Sequence, residues 1–176
     1  MYVILEYYSQ LNNFLVSGGF VLKWFIVPLT FAMWTAIFER LWYYRGALRK
    51  DVNGALSAWE SRSERQSWAA RQIRRALISR VTLKINNYLP MIKTMVALCP
   101  LMGLLGTVTG MIEVFNIMAV TGGGDAKSMA GGVSKATIPT MAGMVAALSG
   151  VFAMSYLEKV AQTESQLLAD HLTTDH

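Results

Sequence analysis

The chain has 176 residues, of which 53% are hydrophobic and 15% charged, with a formal net charge of +5. Soluble domains carry about 25% charged residues. Because the apolar residues here form long blocks, the composition excludes a disordered chain, a collagen and a coiled-coil rod, and it argues against a soluble enzyme. One cysteine, Cys99, excludes a disulfide scaffold or a cysteine-based zinc site, and both histidines fall at the C-terminal end, so no metal site is expected.

The N-terminal segment, residues 1–19, has apolar residues at helical spacing and ends in a pair of glycines. This pattern predicts a short helix lying on the outer face of a membrane. The segment has neither a basic start nor a small-residue cleavage site, so a removed signal peptide is not expected. The residues that form the apolar stripe are Leu5, Tyr8, Leu11 and Leu15.

Three blocks without any charge follow: residues 24–38, 94–112 and 136–157. A bilayer core of about 30 Å needs roughly 20 helical residues. The second and third blocks approach that length unaided. The first reaches it when residues 20–23 are included and the ammonium group of Lys23 extends to the interface. The sequence therefore predicts an all-α integral membrane protein with transmembrane helices at 20–43, 92–119 and 133–157.

The segment between the first two spans, residues 44–91, reads as helical and is strongly basic. Because positive loops stay in the cytoplasm, this charge predicts an N-terminus and a 120–132 loop outside, and a 158–176 tail inside. Nucleic-acid binding is a weaker alternative, since no recognition motif accompanies the charges. The basic residues from the end of span one to the start of span two are Arg45, Arg49, Lys50, Arg62, Arg65, Arg71, Arg74, Arg75, Arg80, Lys84 and Lys93. We expect lipid headgroup contacts at Arg40, Arg45 and Arg49, with Glu39 and Arg40 as an interfacial pair.

Small residues form one stripe on each of the last two spans. Such stripes let membrane helices approach closely. Thr107 and Thr140 lie on these stripes, at similar distances from the loop that joins the two spans, which predicts similar depths in the membrane. Two interpretations stay open: functional polar groups at matched depth, or plain packing in which each hydroxyl bonds its own helix. The stripes consist of Gly103, Gly106, Gly110, Ala136, Gly143, Ala147 and Gly150.

Glu113 and Lys135 are the charges nearest the apolar blocks of these two spans. An ionisable residue in such a position is a functional candidate. Both can equally be interfacial residues that pair with each other. If functional, they would act at the outer ends of these two spans.

Two motifs then suggest a family. CPLMGLLGTVTGMI at 99–112 and GVSKATIPTMAGMVAA at 132–147 resemble the second-span and third-span motifs of the ExbB, TolQ and MotA proton-channel proteins. The resemblance covers roughly residues 20 to 165, and the short chain looks most like a compact ExbB of an accessory TonB system. Lys135 and Ser149 depart from the glutamate and proline that many ExbB proteins carry there.

The resemblance implies a homopentamer around an ExbD-like single-span protein in the bacterial inner membrane, in contact with membrane lipids. Proton flow at that interface would drive a TonB-like protein and, through it, uptake of iron chelates and cobalamin across the outer membrane. Thr107 and Thr140 match the family's pore-facing threonines, and Glu113 and Lys135 complete the expected proton pathway. The resemblance implies no cofactor and no nucleic acid.

Two other functions remain open. The runner-up is a TolQ-like subunit of an envelope-integrity motor, which the neighbouring genes would distinguish. A non-conducting membrane scaffold would show no proton leak and no dependence on Thr107 or Thr140. An enzyme is not expected, because no nucleophile–base pair, metal set or cofactor fingerprint is found.

Overall fold

A computed structural model describes residues 6, 9, 19–61, 64, 67–121 and 126–172. The described chain is 95% helical and contains no β-strand. Three helical stretches within it are long and apolar enough to cross a membrane, which confirms the predicted all-α fold with three spans. These stretches are Gly19–Arg45, Trp68–Val120 and Met129–His171. The helix predicted for residues 1–19 falls almost entirely outside the described residues.

The first helix, α1, runs from Gly19 to Arg45 and contains a π-helical segment at Leu22–Ile26. Its N-terminal part is Gly19–Val21 and its main part is Val27–Arg45. Pro28 explains the irregularity, because proline has no backbone N–H to donate to the carbonyl one turn earlier. The π-helical segment lies immediately before Val27 and Pro28, and its wider turn accommodates the missing hydrogen bond.

Two shorter helices follow: α2, Ala47–Glu60, and α3, Trp68–Asn86. The Ser67 hydroxyl caps α3 by accepting a hydrogen bond from the Ala70 amide at 3.1 Å, which satisfies one of the free donors of the first turn. In α2 an apolar stripe faces inward, with Leu48 and Trp59 each only 2% exposed.

The two long helices are α4, Leu89–Thr121, and α5, Ala126–His171. A turn at Asn87 and Tyr88 precedes α4, and Tyr88 adopts a positive φ of 66°. This left-handed conformation is unfavourable for a bulky residue, so the surroundings of the Tyr88 ring must stabilise it.

The chain divides into two compact units. The first unit combines Met1–Trp34 with Thr94–Val151 and holds the apolar parts of α1, α4 and α5. The second unit combines Thr35–Lys93 with Phe152–His176. In the second unit, the Arg74 guanidinium donates to the carbonyls of Ala169 and Leu172 and thereby caps the C-terminal end of α5.

Candidate functional site

Helices α4 and α5 of the first unit touch along the two small-residue stripes. A Cβ atom added to Gly143 would lie 2.6 Å from the Cys99 carbonyl oxygen, and one added to Gly110 would lie 2.7 Å from the Cβ atom of Ala136. No side chain fits at those distances, so glycine is required for this approach. The stripes therefore pack against each other within one chain.

Proline and glycine interlock at the centre of this contact. Pro139 is fully buried, and its ring occupies the space that a side chain at Gly106 would need. Further along α5, Gly150 faces Met33 of α1 and Val96 of α4. Ala136 and Ala147 are also buried, at 3% and 8% exposure.

The hydroxyls of Thr107 and Thr140, the two threonines singled out from the sequence, both donate hydrogen bonds to backbone carbonyls. Thr140 Oγ1 donates across the contact to the Gly103 carbonyl at 3.0 Å, whereas Thr107 Oγ1 donates to the Leu104 carbonyl of its own helix at 2.7 Å. Because Gly103 meets Thr140 and Gly106 meets the preceding proline, Thr107 lies within about one helical turn of Thr140 in depth.

A cavity of about 440 Å³ lies beside the same contact, at the end of the first unit where α4 and α5 connect. Glu113 of α4 and Lys135 of α5 both line it, and the first residues of α1 close one side. The lining also includes Gly19, Phe20, Val21, Gly106, Thr109, Gly110, Val114, Ile117, Gly131, Gly132, Ala136 and Pro139.

The charged and the threonine pairs occupy different edges of the contact. With about 100° of rotation per residue, Thr107 lies about 120° around α4 from Glu113, and Thr140 lies about 140° around α5 from Lys135. On each helix, the rotation from the charged residue to the threonine has the same sense about that helix's own axis. Because α4 and α5 run antiparallel and face each other, this puts both threonines at one edge of the contact and both charged residues at the other. Neither threonine lines the cavity.

The salt bridge that the sequence allowed between Glu113 and Lys135 is not formed within the chain. Among the residues whose side chains the structure describes, neither charge has an ion-pair partner within 4.0 Å. Both side chains are exposed on the cavity side. Pairing between subunits stays a prediction, as does the role of all four residues in proton transfer.

Arg40 requires a correction, because it is not placed to contact lipid headgroups. Its side chain is 4% exposed and lies in the second unit, with the guanidinium carbon 5.0 Å from the centre of the Tyr43 ring and 4.6 Å from that of Tyr88. It also donates to the Lys84 carbonyl at 3.3 Å, and it pairs with Glu39 at 3.3 Å as expected. Burial between two aromatic rings stabilises the cation away from lipid. Arg45 and Arg49 are exposed.

A polar network in the second unit was not predicted from the sequence. Asp51 accepts a hydrogen bond from Lys84 Nζ at 2.7 Å and another from the Tyr43 hydroxyl at 2.8 Å. The Lys84 ammonium, followed by the Tyr43 hydroxyl, holds the pKa of the Asp51 carboxyl below its usual value. No spacing rule could reveal this network, because Lys84 is 33 positions from Asp51 in the sequence and the three residues lie on three different helices. In the first unit, Pro28 inside an apolar block was the available signal for the π-helical turn.

Known biopolymer transport proteins are similar to parts of this chain. One relative is the ExbB-like 1 biopolymer transport protein of Synechocystis sp., 42% identical over 79 residues, which cover 43% of this chain and 30% of the relative. Another is the biopolymer transport protein ExbB of Xanthomonas campestris pv. campestris, 33% identical over 114 residues, which cover 65% of this chain and 45% of the relative. The chain thus matches less than half the length of these relatives. No solved structure gives a significant match.

The sequence profile of the MotA/TolQ/ExbB proton channel family matches residues 45–170. That range contains α4, α5 and both motifs that suggested the resemblance. It also contains the threonines and the charged residues of the candidate site. The chain is therefore a member of the MotA/TolQ/ExbB proton channel family.

Proposed function

We propose that this chain is an ExbB-type subunit of a proton-driven motor in the bacterial inner membrane. It would surround an ExbD-like single-span partner and couple the proton motive force to a TonB-like protein for uptake across the outer membrane. Family membership supports proton conduction, and the ExbB names of the relatives favour this branch over a TolQ-like role.

The observation that carries the proposal is that the Thr140 hydroxyl donates across the α4–α5 contact instead of to its own helix, which plain packing does not predict. The Thr107 bond within α4 fits either interpretation. Each hydroxyl proton is donated to a backbone carbonyl, which leaves the oxygen able to accept a hydrogen bond. We take the proton carrier to be a carboxyl group on the membrane span of the ExbD-like partner. A threonine oxygen of this kind would stabilise that carboxyl group in its protonated, donating form. When the carboxyl loses its proton, the hydroxyl can rotate and donate to the carboxylate instead. Threonine can serve both states because it does not titrate itself.

The energy that a proton releases in crossing the membrane is large enough to change the hydrogen bonds of such a carboxyl group. A proton that crosses about 100 mV releases about 2.3 kcal/mol, which is comparable to the exchange of one or two hydrogen bonds to a charged group, each about 1.5–3 kcal/mol. The proton gradient can therefore switch a partner carboxyl group between its protonated form, which donates to the threonine hydroxyl, and its ionised form, which accepts from it.

The test is valine substitution at Thr107, which keeps the side-chain shape and deletes the hydroxyl. We expect Thr107→Val to abolish uptake of an iron chelate by cells that depend on this chain, at unchanged membrane abundance, whereas Thr107→Ser retains uptake. Thr140→Val should act alike, but it also removes an interhelical hydrogen bond worth about 0.6 kcal/mol, so its abundance must be measured beside uptake.

Thr109→Val is the matched control. Thr109 Oγ1 bonds the Leu105 and Gly106 carbonyls at 3.0 Å on the same helix, but it lies on the cavity side. Uptake should survive in this variant. Full uptake in both Thr107→Val and Thr140→Val would leave these residues only a packing role and would favour the non-conducting scaffold.

A further inference from the structure

The cavity beside α4 and α5 contains one acid and one base that do not pair with each other. Glu113 and Lys135 line the same space of about 440 Å³, and no described side chain forms an ion pair with either of them. Charges at the end of an apolar span are costly unless water or a partner compensates them. One ligand that carries both signs would compensate both residues.

We propose that this cavity binds the headgroup of a zwitterionic phospholipid that has a primary ammonium group. Lys135 would hold the phosphate and Glu113 the ammonium, each through a charge-assisted hydrogen bond. Phosphatidylglycerol offers Glu113 only uncharged hydroxyl donors, which bond a carboxylate less strongly than an ammonium does, and a quaternary ammonium has no N–H to donate to its carboxylate. The chemistry therefore selects phosphatidylethanolamine-like headgroups over glycerol or choline headgroups.

The size and position of the cavity fit this occupant. At about 30 Å³ per water-sized group, the volume accommodates about 15 non-hydrogen atoms, enough for a phosphate–ammonium headgroup with its glycerol. Glycines contribute much of the wall, and a Cβ atom at Gly131 would meet nothing within 4 Å. The cavity lies where α4 and α5 leave their apolar blocks, which is the headgroup level of a bilayer.

The rim favours a membrane lipid over a soluble phosphate–ammonium compound. Phe20 and Ile117 border the cavity, and their side chains are 68% and 53% exposed. Apolar groups at the rim can contact the acyl chains of a bound lipid. This inference does not depend on proton conduction, because the site lies at the edge of the contact away from Thr107 and Thr140.

The experiment measures lipid retention by the full chain. The purified protein is placed in nanodiscs that contain equal amounts of phosphatidylethanolamine, phosphatidylcholine and phosphatidylglycerol, then extracted into detergent, and the lipids that stay bound are quantified by native mass spectrometry. We expect phosphatidylethanolamine to be retained preferentially. Glu113→Gln or Lys135→Met should each reduce its retention about tenfold, the loss of one hydrogen bond to a charged group.

Two further variants separate binding from folding. Exchanging the charges, Glu113→Lys with Lys135→Glu, keeps one acid and one base in the cavity and should retain phosphatidylethanolamine. Gly131→Phe fills the open space and should abolish retention, while far-ultraviolet circular dichroism shows unchanged helix content. As a control, Lys93→Met with Glu158→Gln removes an acid–base pair 3.7 Å apart in the second unit and should leave retention unchanged.

Several outcomes would overturn the proposal. Equal retention of all three lipids means that the cavity does not select a headgroup. Retention of phosphatidylethanolamine by the neutral variant Glu113→Gln with Lys135→Met means that the charges do not hold it. Displacement of the lipid by millimolar glycerophosphoethanolamine means that the site takes a soluble ligand instead. Loss of uptake in the Thr107 variant with normal lipid retention would leave this inference intact and bear only on the proposed function.

Discussion

Replacing Gly143 by alanine would place a methyl group inside the α4–α5 contact. The added carbon would lie 2.6 Å from the Cys99 carbonyl oxygen and 3.1 Å from the Gly103 Cα atom. A carbon and a carbonyl oxygen ordinarily approach to about 3.3 Å, so the overlap is about 0.7 Å. Both neighbours are backbone atoms of α4, and neither can rotate away as a side chain could. The two helices must therefore separate locally.

The cost follows from packing. Overpacking of a well-packed contact destabilises by about 1–3 kcal/mol, and the intrinsic helix preference of alanine over glycine offsets about 0.8–1.0 kcal/mol of this. Separation of the helices also lengthens the bond from Thr140 to the Gly103 carbonyl. With the loss of that hydrogen bond, about 0.6 kcal/mol, we expect Gly143→Ala to lower the free energy of unfolding by about 0.5–2.5 kcal/mol. Gly143→Leu should prevent the contact from forming at all and should disrupt any assembly built on it.

Two matched variants isolate the geometry. Gly54→Ala lies in α2, where a Cβ atom meets nothing within 4 Å, so it should stabilise by up to about 1 kcal/mol. In Gly150→Ala the added carbon would lie 2.7 Å from both the Met33 sulfur and Val96 Cγ2. These are side-chain atoms, and the methionine is flexible, so this variant should cost less than Gly143→Ala, where the neighbours are backbone atoms. The assay is unfolding in detergent micelles followed by circular dichroism. A Gly143→Ala protein as stable as the Gly54→Ala protein would refute the packing argument.

The other predictions concern the second unit. Arg40→Met should destabilise by about 1–3 kcal/mol, since it leaves the Lys84 carbonyl without its donor and deletes both ring contacts, whereas Arg45→Met, at an exposed site, should stay within about 0.5 kcal/mol; thermal unfolding measures both. Asp51 has a folded-state pKa below its unfolded value, so its contribution is present above about pH 4 and is lost as the pH falls through the folded pKa. Unfolding from pH 5 to 2 should therefore show Asp51→Asn losing less stability than the parent, and equal slopes would contradict the assignment. Neutralising Lys93 should cost less than about 1 kcal/mol because its ion pair is solvent-exposed.

The spans could be predicted from the sequence because their signal is one-dimensional. A bilayer imposes a length and an absence of charge on each helix, and both can be read from consecutive residues. The close contact of α4 with α5 was likewise visible as small residues at helical spacing. The structure adds the partner of each glycine, such as the Pro139 ring that fills the place of a side chain at Gly106.

Arg40 shows where this one-dimensional signal ends. At the end of an apolar block, an arginine is expected to reach the headgroups. Its actual surroundings come from Tyr88 and the Lys84 carbonyl, which are more than 40 positions away in the chain. Their approach depends on the turn at Asn87 and Tyr88, and the positive φ of Tyr88 is not a conformation that sequence rules assign to tyrosine.

The division between the threonine pair and the charged pair has a related cause. Depth in an antiparallel helix pair can be computed from the distance to the connecting loop, and by that measure Thr107, Thr140, Glu113 and Lys135 all belong to one pathway. The side of the contact that each residue faces depends on its angle around the helix axis relative to the line of contact. Only the pairing of Gly110 with Ala136 and of Gly103 with Thr140 fixes that line. Once it is fixed, the threonine hydroxyls and the side chains of Glu113 and Lys135 lie at separate edges, so the proposed proton-carrying partner and the proposed lipid headgroup would not compete for the same space.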